Sequence, residues 1–319
     1  MYTWSAVLLL PIDSDNTIGS NSYVLSTKLG DTIWIIANIY YDSYQTKLFK
    51  FDIENEKIEE VVYSYDKDQF PGRLISLSGY NNKLYMWCNG HTNKKVLLKL
   101  NLTTMEWKHV LEIKCNRIWG NTPIIGNTMH VLEHDFSTLT VYVNVINLMT
   151  GQIGKRYFLK EITDIAYDGY LLTHSNKLYL VEHASNLRTV YIIQLEKLEI
   201  LRLDKYHEVD LKSVCNSVSD CIFYQTIDQL QETLYMDRYN FETNEWRRHL
   251  VEKWDNKDSI ESVLEIDENI YTIVGKSGVK KAVFEFCELT KIGEGVKLPG
   301  LEVEKDNLEW CQDLITSLP

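Results

Sequence analysis

The run His130-Val131-Leu132-Glu133-His134 holds two imidazoles and a carboxylate within five positions, the residue types of a zinc hydrolase. On a helix, two histidines four apart share a face and can ligate one ion. On a strand the same spacing covers about 13 Å, which no pair of bonds of about 2 Å can span. Apolar residues surround the run in a β-type pattern, so no metal site is expected. The sequence also holds no nucleophile elbow, phosphate-binding glycine loop, GxGxxG or CxxC cluster. No catalytic residue and no cofactor is therefore assigned.

Two residues stand out for recognition rather than catalysis. Arg117 and Trp119 lie in the irregular stretch Cys115-Asn116-Arg117-Ile118-Trp119-Gly120, outside any regular pattern. Arginine and tryptophan are enriched as interface anchors, and irregular connections are where recognition residues concentrate. Other aromatics, including Trp107 and Trp246, recur at equivalent places along the chain and read as framework.

Composition narrows the setting. The 319 residues are 45% hydrophobic and 24% charged, with 15 Gly and 5 Pro, which suits a folded chain with a sizeable core. Forty-five acidic against 33 basic residues give a net charge of −12, and no Lys/Arg run appears, so nucleic acid is not expected as a partner. The apolar run Ala6-Val7-Leu8-Leu9-Leu10 is too short for a membrane span or a secretion signal, and the first lysine is Lys28. No membrane association is expected. Cys88, Cys115, Cys215, Cys221, Cys287 and Cys311 are scattered, as free thiols of a cytoplasmic protein would be. The sequon Asn101-Leu102-Thr103 falls where a turn is expected and would matter only in a secreted protein.

The elements that position these residues come from a repeat. The segments DTIWIIAN, NKLYMWCN, NTMHVLEH, NKLYLVEH, DCIFYQTI and ENIYTIVG carry Trp34, Tyr85, His130, Tyr179, Phe223 and Tyr271 at one equivalent place, at intervals of 51, 45, 49, 44 and 48. Each follows a turn signal: Gly30-Asp31, Asn81-Asn82, Gly126-Asn127, Ser175-Asn176, Ser219-Asp220 or Asp267-Glu268. A second β-type run follows each, among them TKLFKFDIE, KVLLKLNLT and LTVYVNVINL. Candidate strands before and after these pairs, such as GRLISLSGY and the segment around Glu106-Trp107, make four strands per unit. A period of about 40 to 50 residues with four strands and no helical periodicity predicts an all-β chain, a β-propeller of six four-stranded blades over residues 1–319 as a single domain. Seven is the alternative count. Trp4 to Leu8 resembles the outer strand of other units, so the N-terminal segment is expected to complete the last blade; Asn307 to Leu318 would add a strand or cap.

One stretch is more specific. Residues 71–110, PGRLISLSGYNNKLYMWCNGHTNKKVLLKLNLTTMEWKHV, resemble a kelch repeat almost throughout, and Tyr239 to Trp246 repeats its turn and tryptophan. The chain departs from kelch units where these carry a Gly-Gly pair, having Ala37-Asn38, Cys88-Asn89, Glu133-His134, Glu182-His183, Thr226-Ile227 and Val274-Gly275. The resemblance implies that connections between second and third strands share a face with the blade-to-blade links, and that this face binds ligands. Asn38, Tyr40, Asn89, His91, His134 and His183 would lie near the first set, and Arg73, Arg117 and Trp119 near the second. It implies a scaffold that binds a peptide or partner protein, as an adaptor or ubiquitin-ligase substrate receptor. The alternative is a mutarotase-like or other small-molecule enzyme with a central pocket.

Overall fold

The computed structural model describes residues 2–8, 23–40, 44–52, 54–55, 57–65, 73–90, 93–118, 120–135, 138, 140–159, 168–184 and 187–195. Beyond these it describes the strand backbones within 199–284, and it describes side chains only within 25–195. The chain divides into a strand-rich unit, Met1–Phe284, and a second unit, Glu285–Pro319, which lies outside the described residues together with the expected strand or cap at Asn307 to Leu318.

Every regular element described is a strand. After β1 (Tyr2–Leu8), the strands β2 (Tyr23–Leu29), β3 (Thr32–Tyr40), β4 (Tyr44–Asp52) and β5 (Lys57–Val61) form an antiparallel meander. A second follows in β6 (Leu74–Tyr80), β7 (Lys83–Asn89), β8 (Lys94–Asn101) and β9 (Glu106–Lys114). In the third, the inner strand is broken into β10 (Arg117–Ile118) and β11 (Ile124–Ile125), both paired to β12 (Thr128–Asp135), with β13 (Thr140–Asn147) and β14 (Gln152–Phe158) outside. The fourth is β15 (Asp168–His174), β16 (Lys177–Ala184), β17 (Leu187–Gln194) and β18 (Glu199–His207). Four successive four-layered meanders packed on one another are the blades of a β-propeller.

The count differs from the expectation of six or seven separate blades: among the described residues four are discrete. The remaining strands are β19 (Cys215–Val218), β20 (Cys221–Asp228), β21 (Thr233–Asn240), β22 (Glu245–Val251), β23 (Ile260–Ile266), β24 (Asn269–Val274) and β25 (Gly278–Phe284). They join β1 in one eight-stranded sheet, ordered β19-β20-β21-β22-β1-β25-β24-β23. Strand β1 runs antiparallel to β25 over Tyr2↔Phe284 to Leu8↔Val279, and touches β22 through the single parallel pair Tyr2↔Val251.

Local chemistry accounts for the hairpins. Asn81 and Asn82 (φ 47° and 55°) and Ser175 and Asn176 (φ 48° and 60°) take the paired left-handed conformation of a two-residue turn whose twist matches the strands. Asparagine tolerates that region better than most residues. At the places where kelch units carry Gly-Gly, Cys88, Asn89, Glu133 and His134 continue as strand with no positive φ, so glycine is not required there.

The second strand of a blade is packed on both faces, which is why β7 and β12 are buried almost end to end and show no simple polar alternation. In β7, Leu84, Met86 and Cys88 pack toward the first blade with Trp34, Ile36 and Leu48. Tyr85 and Trp87 pack toward the third with Met129, Val131 and Ile146. Leu132, Val141 and Val143 continue the core toward the fourth blade with Leu171, Leu178 and Leu180. Neighbouring blades approach closely at two glycines, Gly79 in β6 and Gly120 in the break between β10 and β11. A Cβ on Gly79 would lie 3.1 Å from Leu29 Cβ, and one on Gly120 (φ 33°) would lie 2.7 Å from Tyr170 Cδ1.

Candidate functional site

In an antiparallel meander, alternate connections fall at the same end. The β3–β4, β7–β8, β12–β13 and β16–β17 connections therefore share an edge with the links that enter β6, β10 and β15. Asn38 and Tyr40 sit at the end of β3, Asn89 at the end of β7, His134 near the end of β12 and His183 near the end of β16. Arg73 immediately precedes β6 and Arg117 begins β10. Two of these residues are joined by backbone: the Asn89 N–H donates to the Arg73 carbonyl at 2.9 Å. Arg117 and His134 stand opposite one another across the β10–β12 pair. The side chains of Asn38, Tyr40 and His183 lie outside the described residues, as do His91 and Trp119 altogether.

Because β12 is buried on both faces, its polar residues had to be accommodated. Cross-strand register puts Glu133 on the face of Ile118 and Tyr142, toward the second blade, and His134 on the face of Arg117 and Val141, toward the fourth. His130, four residues before His134, shares the latter face. The carboxylate and the two imidazoles of the His130 to His134 run are thus separated by the sheet itself.

Glu133 is buried and both of its oxygens are engaged. Asn144 Nδ2 donates to Oε2 at 2.6 Å, and Arg156 Nη2 donates to Oε1 at 2.8 Å. The guanidinium of Arg156 lies 3.9 Å above the Tyr142 ring, and Tyr142 in turn contacts Phe158 with ring centroids 5.5 Å apart. Buried Lys95, on the facing side of the second blade, and Cys115 complete the surroundings. Burial pushes the Cys115 thiol up to about 12; the Glu133 charge adds to the rise, while Lys95 and Arg156 oppose it. Burial alone takes Cys88 to about 12. Both thiols are neutral at physiological pH and poor nucleophiles.

The histidines are shifted the other way. Burial lowers the pKa of His130, against a hydrogen bond to the Pro123 carbonyl, and lowers that of His134 with help from the Arg117 charge and against Asp135. Both are neutral imidazoles near pH 7. The groups this edge carries are the side chains of Arg73 and Arg117 and the ends of the second strands. Sequence reading passed over Asn144, Arg156 and Lys95. The legible signal was polar residues inside β-branched runs, Asn144 in TVYVNVIN and Lys95 in KKVLLKLN, where burial demands a partner.

No family model matches the chain, and no curated protein does. Among solved structures, it is similar to the β-propeller domain of the trilobed protease from Pyrococcus furiosus, at 9% identity and TM-score 0.45, over 79% of this chain and 77% of that one. It is similar to the acylaminoacyl peptidase of Pyrococcus horikoshii at 10% identity and TM-score 0.47, over 82% of this chain and 44% of the peptidase, so it spans less than half that protein's length. BamB from Moraxella catarrhalis is similar at 11% identity and TM-score 0.47, over 89% of this chain and 98% of BamB.

Proposed function

We infer that this chain is a degenerate kelch-type propeller of six blades that binds a peptide or partner protein on the edge carrying Arg73, Asn89, Arg117 and His134. The kelch reading is supported by residues 71–110, whose quoted pattern coincides with β6 to β9. The six-blade reading is supported by how the eight-stranded sheet is assembled. It consists of β19–β22 and of β23–β25 completed by β1, meeting at one residue pair. First strands of units lie against one another, β2 against β6, β19 against β15, β23 against β19 and β23 back against β2, while in the third unit it is the second strand, β12, that meets β15. Free buried Cys88 and Cys115 support a cytoplasmic setting.

The observation that carries the binding role is the convergence of two arginines, on successive blade links, with the ends of second strands that they directly pair. Arginine at such a place matches carboxylates and carbonyls of a partner through its planar donor fork. The test is crosslinking mass spectrometry on the full chain, comparing Arg73→Ala/Arg117→Ala with a control on the opposite edge, Lys57→Ala/Lys83→Ala. A partner lost by the first variant and kept by the second supports the reading, provided melting is unchanged. A partner kept by Arg73→Ala/Arg117→Ala overturns it, as does turnover of a small molecule that the same variant abolishes.

A further inference from the structure

We propose that the outer strand of the third blade, β14, is a second docking surface, one that takes an extended acidic peptide with apolar alternate residues by strand addition. The surface is distinct from the loop edge, and the proposal stands whether or not that edge binds a partner.

The first observation is an open strand edge. Strand β14 ends its sheet, and among the described residues nothing pairs with its outer side. Its residues Gln152 to Arg156 are all exposed. A bare edge offers a row of N–H and C=O groups that an added strand can satisfy. The second blade shows the same kind of edge occupied. There the segment Val62–Tyr65 lies alongside the start of β9, with a parallel bridge between Ser64 and Glu106. The Ser64 N–H donates to the Met105 carbonyl at 2.8 Å, and the Trp107 N–H donates to the Ser64 carbonyl at 3.0 Å. Tyr63 sets its ring edge-on against Trp107. An outer blade edge of this protein is therefore able to accept an extended segment with an aromatic contact beside it.

The second observation is what flanks the edge. Ile153 is 44% exposed, Phe158 49% and Met149 71%. Ile153 pairs with Ile146, Arg156 with Asn144 and Phe158 with Tyr142, so the register sets these three on one face of the sheet. Apolar side chains this exposed, at both ends of one short strand, mark a contact surface.

The third observation selects the occupant. The chain as a whole carries −12, yet β14 carries Lys155 and Arg156 and no acid. Arg156 is already oriented: Glu133 holds one Nη from below and Tyr142 supports the guanidinium plane, while the side chain stays half-exposed. A guanidinium fixed in this way binds a carboxylate with little further loss of freedom. Lys155, opposite Val145, places a cation on the other face of the strand. A strand added along β14 would meet a cation on each face and apolar side chains at both ends, which suits a peptide alternating acidic and apolar residues.

The test uses the full chain and a fluorescein-labelled nonapeptide alternating Glu and Val, followed by fluorescence anisotropy. Controls replace every Glu by Lys, or two central Val by Pro, which removes ladder donors. The expected result is binding of the Glu peptide with loss of at least about tenfold for either control, and a loss of about tenfold in Arg156→Ala. Lys155→Glu, an exposed change that leaves the Glu133 pairing intact, should weaken binding severalfold even if Arg156→Ala proves unstable. Equal binding of the Lys peptide, no effect of Lys155→Glu, or no binding of the Glu peptide would overturn the proposal. So would analytical ultracentrifugation showing a dimer that Lys155→Glu dissolves, since a second copy would then be the occupant.

Discussion

Replacing Asn144 by alanine should destabilise this protein more than replacing Arg156, although Arg156 carries the charge. Asn144 is 1% exposed and its amide donates to Glu133 Oε2 at 2.6 Å. A hydrogen bond to a buried carboxylate contributes about 1.5–3 kcal/mol, and the small void left in a packed sheet adds up to about 1 kcal/mol. The expected cost is about 2–4 kcal/mol. Arg156 reaches the same carboxylate at 2.8 Å, but about half of its side chain is in water. Solvent-exposed pairs contribute about 0–1 kcal/mol, and the stack on Tyr142 adds about 0.5–1 kcal/mol at such a site, so Arg156→Ala should cost about 1 kcal/mol. Urea unfolding monitored by tryptophan fluorescence gives both values. In melting, Asn144→Ala should lower the midpoint by about 3–6 °C and Arg156→Ala by about 1.5 °C. In a Glu133→Gln background the cost of Asn144→Ala should shrink, because the bond is no longer charge-assisted. The reasoning fails if Arg156→Ala costs more than Asn144→Ala, or if Asn144→Ala lies within about 0.5 kcal/mol of wild type.

Gly120→Ala should destabilise by about 1–3 kcal/mol, since its Cβ would meet Tyr170 at 2.7 Å with φ at 33°, and adding Tyr170→Leu should restore part of the loss in the same unfolding assay. Deleting residues 1–8 should leave β25 without its outer neighbour, and sedimentation should then report self-association; a monodisperse truncated chain with unchanged melting would argue against that role for β1. His130 is held neutral by burial, so its folded pKa lies below the ordinary value near 6.5. As pH falls from there toward the lowered value, the unfolded chain takes up a proton that the folded chain does not, and stability should fall with it. In His130→Leu this part of the slope below about pH 7 should disappear, leaving the share from His134, which is shifted the same way.

Much of the blade framework was written in local chemistry. Asn81-Asn82 and Ser175-Asn176 mark their hairpins because both residues must take positive φ, and the flanking runs appear as β6–β7 and β15–β16. The third blade departs from the regular unit at its inner strand. Gly120 sits at positive φ, and Pro123, which follows Thr122, has no N–H to give to a ladder, so the strand breaks into β10 and β11. The separateness of blades was not readable, because it turns on one long-range pairing. β1 lies at the opposite end of the sequence from β25, and only a parallel pair at Tyr2 ties it to β22. Spacing between repeats carries no information about such a bond. The turn signals Ser219-Asp220 and Asp267-Glu268 lie outside the described residues.

The strand ends that carry the candidate residues were legible in the sequence, the contacts around Glu133 were not, and the reason lies in the double burial of the second strand. Period-two reading assumes one wet face, so it does not foresee that His130, Glu133 and His134 are all buried. In β12 both faces are dry, so each polar side chain is bound to whichever blade it faces, and the choice alternates along the strand. Glu133 must find its partners on its own face of the sheet, and it does so in Asn144 and Arg156, one on each successive strand outward. That chain of contacts carries the influence of a buried carboxylate out to an exposed guanidinium at the blade's rim. The register that forces Glu133 inward is the same register that orients Arg156 outward, so a change in the pairing of β13 with β14 would disturb core and surface together.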